Sequence, residues 1–310
     1  FMAAGTAYAV HGVPTIPFYI FYSMFGFQRV GDMIWSCADM MTRGFLLGGT
    51  AGRTTLNGEG LQHEDGHSHL LASTFPNLKS YDPAFAYELA VIVRDGIHRM
   101  YELGENIFYY ITLYNENYPM PAMPEGDDIA EGIIRGAYCW APRIDAGEPV
   151  DILASGSMMQ QAIGAAQQLR GMGYAPAIWS VTSYVELSRE AEQCEREARL
   201  NPLQQRRQPY VECLFASCQG PVIAVSDYQK SLPASIARWM PATYTVLGTD
   251  GFGLSESRED LRNHFEVSTV HIVNAAIAGL YRQGRISERD MAAQLEQLAI
   301  DVAKPDPAAR

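Results

Sequence analysis

The sequence predicts an α/β protein with two successive domains, each built on a parallel sheet with helices packed against it. The chain has 310 residues, which is enough for two domains with sizeable cores. Hydrophobic residues make up 47% and charged residues 19%, a balance typical of well-packed globular proteins. Apolar runs of strand length alternate with helical stretches, and this alternation indicates parallel strands joined by helices.

The N-terminal elements are predicted from apolar runs and the residues that interrupt them. The apolar start lacks a basic leading region and is broken by His11, Pro14 and Pro17, so neither a signal peptide nor a membrane-spanning helix is expected. We interpret it as a helix end, a turn and a buried strand over residues 15–22. The pattern then predicts a helix over 26–43, the strand Phe45–Gly49, a loop over 50–66, a helix over 82–101 opened by Asp82-Pro83, and a strand over 107–114.

The second half begins after a stretch rich in Pro, Met and Asn. Residues 115–126 show no periodicity and predict an ordered linker. A new strand over 148–155 places the domain boundary near residue 147, giving domains 1–147 and 148–310. The expected elements that follow are a turn at Gly156-Ser157, a helix over 158–172, strands over 176–181, 222–226 and 243–247, and a helical stretch over 258–300.

Charge and cysteine content exclude several classes of function. The formal net charge is −12 and no dense Lys/Arg run is present, which argues against a nucleic-acid or membrane-surface partner. Of the five cysteines, only Cys213 and Cys218 lie close together, and their spacing matches no common zinc pattern. Reduced thiols in a cytoplasmic protein are therefore expected at Cys37, Cys139, Cys194, Cys213 and Cys218.

The segment with the strongest chemical character is GEGLQHEDGHSH, residues 58–69. It places three histidines and three carboxylates in a glycine-rich loop, and imidazole is the side chain best suited to moving protons near neutral pH. Composition leaves three interpretations open: a proton-handling or anion-binding site, a structural loop whose histidines cap backbone groups, or a metal site. The metal site is disfavoured because Asp65-Gly66 breaks the helix that would align His63 with His67, and no HExxH order is present.

Two further segments have both structural and functional interpretations. Residues 18–32, FYIFYSMFGFQRVGD, place six aromatics within ten residues where a strand meets a helix. Aromatics at this density normally form core, but some could present ring faces to a flat heterocycle at the strand end. Residues 249–258, TDGFGLSESR, are interpreted as a tight turn leading into a capped helix, because no kinase signature accompanies DGFG.

Taken together, these motifs resemble a known family. FYSMFGFQRVGD, RGFLLGGTAGRTTLNGEGLQHEDGHSH, SYDPAFAYE, NENYPMPAMPEG and VLGTDGFGLSESRE followed by LRNHFEV are similar, nearly word for word, to homodimeric bacterial pyruvate dehydrogenase E1 sequences, within the transketolase-like thiamine-diphosphate superfamily. The resemblance covers residues 8–285. It implies a transketolase-like pyrimidine-binding domain followed by a transketolase C-terminal-like domain.

The resemblance also implies an activity and a set of site residues. The activity is thiamine-diphosphate- and Mg²⁺-dependent oxidative decarboxylation of pyruvate by a homodimer, with reductive acetylation of the lipoyl group of dihydrolipoyl acetyltransferase (E2). By position, Tyr22 and Phe25 match the aromatics that line the aminopyrimidine pocket, and His63 matches a histidine that faces the substrate. His69 matches a histidine near the reacting centre, and Asp65 its orienting neighbour. The alternatives are a transketolase, another 2-oxo-acid dehydrogenase E1, or a non-catalytic dimerisation or scaffold module.

The sequence departs from the family pattern by what it does not contain. It opens with Phe1 inside an apolar pattern, and the glutamate that activates the pyrimidine ring is expected just before that residue. The family's diphosphate-binding domain, with its Gly-Asp-Gly…Asn magnesium motif, is not found in these residues. We therefore expect the 310-residue chain by itself to have negligible activity and weak cofactor binding.

Overall fold

The computed structural model describes residues 1–144, 146–241 and 243–309, and it confirms the predicted α/β fold with two sheets. The strands are β1 Phe18–Tyr22, β2 Phe45–Gly49, β3 Leu78–Tyr81, β4 Phe108–Thr112, β5 Tyr138–Ala141, β6 Pro149–Ala154, β7 Ala175–Ser180, β8 Val222–Val225 and β9 Tyr244–Leu247. Within the described ranges, no helix has both the length and the apolar character needed to cross a bilayer.

The helices fill the connections between the strands. They are α1 Met2–Gly5, α2 Ala7–Val10, α3 Ser23–Asp39, α4 Ser68–Ala72, α5 Ala86–Ile97, α6 Ile129–Arg135, α7 Met159–Gly171, α8 Tyr184–Leu200, α9 Tyr210–Phe215, α10 Ser231–Ala234, α11 Arg258–His264, α12 Thr269–Arg282 and α13 Glu288–Leu298. Short 3₁₀ turns occur at Leu61–His63, Gly156–Met158, Ala237–Trp239 and Pro307–Ala309, and a π turn at His98–Glu102.

The first sheet has the order β1-β2-β4-β3, and its neighbouring strands are parallel. Strand β4 lies between β2 and β3 and is buried along its whole length. The prediction that the strand near residues 15–22 is buried is wrong. Because β1 is at the edge of the sheet, its Phe18, Tyr19 and Ile20 side chains are 48%, 46% and 67% exposed.

The second sheet has the order β5-β7-β6-β8-β9. Strand β5 pairs antiparallel with β7, and the other neighbours are parallel. Since β5 already belongs to this sheet, the chain passes from one sheet to the other before Tyr138, earlier than the expected boundary near residue 147. Residues 115–126, the predicted linker, have no regular secondary structure.

The structure corrects two helix predictions, one in its starting residue and one in its continuity. The helix predicted from Asp82-Pro83 begins at Ala86, because the Glu88 carboxylate accepts the backbone N–H groups of Ala84 and Phe85 and keeps them outside the helix. The stretch predicted as helical over residues 258–300 is divided into α11, α12 and α13. Ser257 and Ser287 cap the first and last of these through their hydroxyl groups.

The buried carboxyl group of Glu88, in α5, links the first half of the chain to the second sheet. Glu88 accepts hydrogen bonds from Ala84 N at 2.5 Å and Phe85 N at 3.1 Å, in the turn between β3 and α5. It also accepts the Tyr138 hydroxyl and the Ser180 hydroxyl, both at 2.6 Å, from strands of the second sheet. Burial raises the pKa of Glu88, and the four donors oppose that rise. This carboxyl group therefore fixes the start of α5 and the packing of the sheets at once.

We predict that Glu88→Ala lowers the free energy of unfolding by about 3–5 kcal/mol, because it leaves buried donors from the turn before α5 and from the second sheet without an acceptor. Glu102→Ala is the matched control: its carboxylate is exposed and contacts His98 on the same turn, so a change of at most about 0.5 kcal/mol is expected. Urea denaturation measures both values, and equal small losses would contradict the bridging role of Glu88.

Candidate active site

The carboxyl edge of the first sheet brings together three of the side chains expected at the site. Tyr22 ends β1, Phe25 lies in the first turn of α3, and His63 ends the 3₁₀ turn in the loop after β2. The His63 ring centroid lies 5.6 Å from that of Tyr22 and 5.1 Å from that of Phe25. Carboxyl edges of parallel strands are where open α/β sheets bind ligands. Tyr22, Phe25 and His63 form what is called here the aromatic wall.

Charged groups lie beside the aromatic wall. A Glu59 carboxylate oxygen is 3.9 Å from His63 Nδ1, and the Arg29 guanidinium lies over the Phe25 ring at 4.1 Å. The His63 side chain is 28% exposed, and its Nδ1 has no hydrogen-bond partner among the described residues. The wall thus offers ring faces for a flat molecule next to a partly exposed imidazole.

His69 does not join the aromatic wall. Its ring is 2% exposed, with Nδ1 2.7 Å from the Ser80 hydroxyl and Nε2 3.1 Å from the Thr112 hydroxyl. Tyr228, from the second half of the chain, covers the ring at a centroid distance of 4.8 Å. Burial lowers the pKa of His69, so its neutral form is favoured. Ser80 and Thr112, which hold this ring, were missed by the sequence analysis.

Asp65 shapes the chain between His63 and His69. One of its carboxylate oxygens accepts the backbone N–H groups of His67 and Ser68, both at 2.9 Å, where α4 begins. It makes no hydrogen bond to the His69 ring, whose partners are Ser80 and Thr112. Asp65 therefore acts on His69 through the backbone turn that opens α4.

The comparisons with known proteins agree with the resemblance of the motifs. A family model described as the pyruvate dehydrogenase E1 component middle domain matches residues 1–121, and one described as the transketolase-like TK C-terminal domain matches residues 136–268. The chain is 51% identical over 309 residues to the pyruvate dehydrogenase E1 component of Pseudomonas aeruginosa, and 49% identical over 309 residues to that of Escherichia coli. Over 99% of its length the chain is homologous to pyruvate dehydrogenase E1 components. The alignments include 99% of this chain, beyond the 8–285 range first noted.

The chain spans about a third of the length of these E1 relatives, 35% and 34% respectively. Solved structures show the same fold at low sequence identity. Transketolase from Leishmania mexicana has a TM-score of 0.64 at 17% identity, over 86% of this chain and 34% of that one. A structure titled split gene transketolase, inactive beta4 tetramer, has a TM-score of 0.62 at 18% identity, over 89% of this chain and 80% of that one.

The loop that carries His63 is anchored by a buried aspartate of the second half. Asp227 accepts the backbone N–H and hydroxyl groups of Thr54 and Thr55 at distances of 2.6–3.2 Å. Burial raises the pKa of Asp227 to about 6, against the lowering effect of these hydrogen bonds. Residues 51–56 are consequently buried between the two halves of the molecule, while residues 57–63 return to the surface.

The residue after His63 is a second buried carboxyl group. Glu64 is 1% exposed, and one of its oxygens accepts the Leu254 N–H at 2.8 Å. Burial raises the pKa of Glu64 to about 8, although the Leu254 hydrogen bond and the charge of Arg53 oppose the rise. Glu64 is therefore mostly protonated at neutral pH.

The metal alternative for this loop finds no support among the described residues. His67 does not approach His63, and its Nε2 lies 2.8 Å from the Gln28 side-chain amide. Across residues 1–144, 146–241 and 243–309, no group of three or more His, Cys, Asp or Glu side chains is arranged to hold a metal ion.

The raised pKa of Glu64 predicts how stability depends on pH. The folded chain keeps the Glu64 proton up to about pH 8, whereas the unfolded chain releases it near pH 4.5, so this contribution to stability is present below pH 4.5 and is lost as the pH rises through 8. The free energy of unfolding of the wild type, minus that of Glu64→Gln, should fall by roughly 1 kcal/mol per pH unit between pH 5 and pH 8.

Taking this difference cancels the titration of the histidines and of Asp227, which both proteins share. Chemical denaturation at unit pH steps measures it. A difference that stays constant over the interval would contradict a raised pKa at Glu64.

Proposed function

We propose that this chain forms the aminopyrimidine-side half of a pyruvate dehydrogenase E1 active site. The proposed reaction is the oxidative decarboxylation of pyruvate with acetyl transfer to the lipoyl group of dihydrolipoyl acetyltransferase, in a cytoplasmic homodimer that uses thiamine diphosphate and Mg²⁺. The main support for the proposal is the position of the aromatic wall at the carboxyl edge of a parallel sheet. The residues of the wall lie within the match to the pyruvate dehydrogenase E1 middle-domain model.

The aromatic wall suits the aminopyrimidine ring of thiamine diphosphate. Tyr22 is 51% exposed, and its ring and that of Phe25 lie 6.1 Å apart at an interplanar angle of 55°, so both present apolar surface on the same side as His63. When bound, thiamine diphosphate supplies the nucleophilic carbon and the electron sink that decarboxylation requires. In the proposal, Tyr22 and Phe25 hold the ring and exclude water from one side of it.

His63 is the residue that we expect to act on the substrate. Its side chain is 28% exposed, and the Glu59 carboxylate 3.9 Å from Nδ1 offers an opposite charge when the ring holds a proton. An imidazole in this position can donate to a substrate carboxylate or carbonyl oxygen and can take up or release a proton. Asp65 contributes by holding the backbone turn on the C-terminal side of His63, and His69 contributes by bonding Ser80 at the end of β3.

A second candidate, a non-catalytic dimerisation or scaffold module, is favoured by the exposed apolar side chains of Phe18, Tyr19 and Ile20 on edge strand β1. Size-exclusion chromatography and a pull-down with the acetyltransferase separate the two candidates. A scaffold module would assemble and capture its partner, but a protein containing it would show no pyruvate-dependent reduction of an electron acceptor. Comparing pyruvate with branched 2-oxo acids in that assay also separates pyruvate dehydrogenase from other 2-oxo-acid dehydrogenases.

We predict that His63→Ala, in a complete E1 protein containing this chain, retains thiamine-diphosphate binding but loses about 10²-fold or more in turnover, because proton-transfer contributions are of that size. Calorimetry measures binding, and reduction of a dye acceptor with pyruvate measures turnover. His98→Ala is the control, since His98 is exposed and pairs with Glu102 at the far end of α5. Unchanged turnover in His63→Ala would remove His63 from the proposed mechanism.

A further inference from the structure

A segment of the second half lies directly against the loop that carries His63. Residues 249–258, called here the buttress segment, connect β9 to α11. They form the predicted turn into a capped helix, with the Ser257 hydroxyl accepting the Asp260 N–H at 3.1 Å. A turn of this kind can form with hydrogen bonds among its own residues alone. The buttress segment also makes several polar contacts with residues 53–64.

The contacts run along the whole loop. From the loop, the Arg53 guanidinium donates to the carbonyl oxygens of Thr249 and Gly251, the Gly58 N–H donates to the Glu256 carbonyl at 3.0 Å, and the Glu64 carboxyl accepts the Leu254 N–H at 2.8 Å. From the buttress segment, Arg258 Nε donates to the Thr55 carbonyl at 2.6 Å. Backbone groups that would otherwise face solvent are thus satisfied across the junction.

Close packing accompanies these hydrogen bonds. A Cβ atom on Gly253 would lie 2.4 Å from a Glu64 carboxyl oxygen and 3.0 Å from the Leu61 carbonyl oxygen. A Cβ on Gly66 would lie 2.4 Å from the Arg53 guanidinium, which is itself 4% exposed. Gly253 therefore leaves room for Glu64 and Leu61 across the junction, and Gly66 leaves room for the Arg53 guanidinium on the loop side.

Hydrogen bonds to the buttress segment hold the loop both before and after His63. Gly58 is held five residues before it and Glu64 immediately after it, and between them the His63 N–H bonds to the Gly60 carbonyl at 2.8 Å. The His63 backbone therefore has little freedom to move away from Tyr22 and Phe25 while these contacts persist. Small displacements of a reacting group are costly, since about 1 Å can reduce a rate by about 10²-fold.

We propose that the buttress segment is a positioning element of the active site, which fixes the imidazole of His63 against Tyr22 and Phe25 from the C-terminal half of the chain. Glu64 and Arg258 are its positioning residues: Glu64 accepts the Leu254 N–H directly after His63, and Arg258 donates to the Thr55 carbonyl. The structural part of the proposal stands on these contacts alone, and its consequence for turnover rests on the function proposed above.

The test follows the His63 ring itself. The chain has seven histidines, and the His63 imidazole signal in a ¹H–¹³C spectrum is identified as the one absent from His63→Gln. Its position is displaced by the ring currents of Tyr22 and Phe25. In Glu64→Leu, which has a similar volume but no acceptor for Leu254 N–H, this signal should move toward that of the exposed His98. In Glu64→Gln, which retains a carbonyl acceptor, it should keep its wild-type position.

A second pair of variants covers the case in which Glu64→Leu fails to fold. Arg258→Ala removes the hydrogen bond to Thr55 from a half-buried position and should displace the His63 signal in the same direction. Arg285→Ala is its matched control, because Arg285 bonds Glu148 and the Gln219 carbonyl and makes no contact with the loop. Wild-type His63 signals in folded Glu64→Leu and Arg258→Ala would overturn the proposal.

Turnover separates this proposal from the proposed function. In a complete E1 protein, Glu64→Leu should lower kcat for pyruvate by about 10- to 100-fold, and Glu64→Gln should restore it. A complete protein that does not act on pyruvate refutes the proposed function, while the His63 spectra still decide whether the buttress segment positions the ring. Displaced spectra with full turnover would refute the catalytic consequence.

Discussion

The structure depends on carboxyl groups that are buried where the two halves of the chain meet and that take their donors from the opposite half. Glu88 accepts hydroxyl groups of the second sheet, Asp227 accepts groups of the loop after β2, and Glu64 accepts an N–H of the buttress segment. A buried carboxyl group without such donors costs several kcal/mol. The halves therefore cannot shift relative to each other without breaking several of these bonds at once. The geometry of the aromatic wall follows from that constraint.

The same constraint explains why His63 and His69 have different surroundings although they are only six positions apart. Asp65 turns the chain between them, so that His63 stays at the surface beside Tyr22 and Phe25 while α4 carries His69 into the junction. There Tyr228 covers the ring and burial favours its neutral form. The His63 imidazole is left able to contact a ligand. The His69 imidazole instead forms hydrogen bonds with Ser80 and Thr112 at the strand ends.

Local pattern predicted the long apolar strands well and the short or half-polar elements poorly. Strand β2 was predicted to the residue, since its apolar run is bounded by glycine. Strand β3, with sequence LKSY, and the charged helix α8 were missed because neither shows an uninterrupted apolar signal; both are held by tertiary contacts such as the Lys79–Glu186 ion pair. The aromatic wall was expected only through resemblance to the E1 family. The burial of His69 could not be predicted from local sequence, because Tyr228, which covers its ring, lies 159 positions later in the chain.

The central claim is that the aromatic wall receives the flat ring of thiamine diphosphate. A crystal structure of a complete E1 protein containing this chain, grown with thiamine diphosphate and Mg²⁺, tests it most directly. We expect electron density for the aminopyrimidine ring in contact with Tyr22 and Phe25, with the His63 imidazole facing the open substrate side. Density for the ring elsewhere, or a His63 imidazole turned away and packed into the protein, would contradict it.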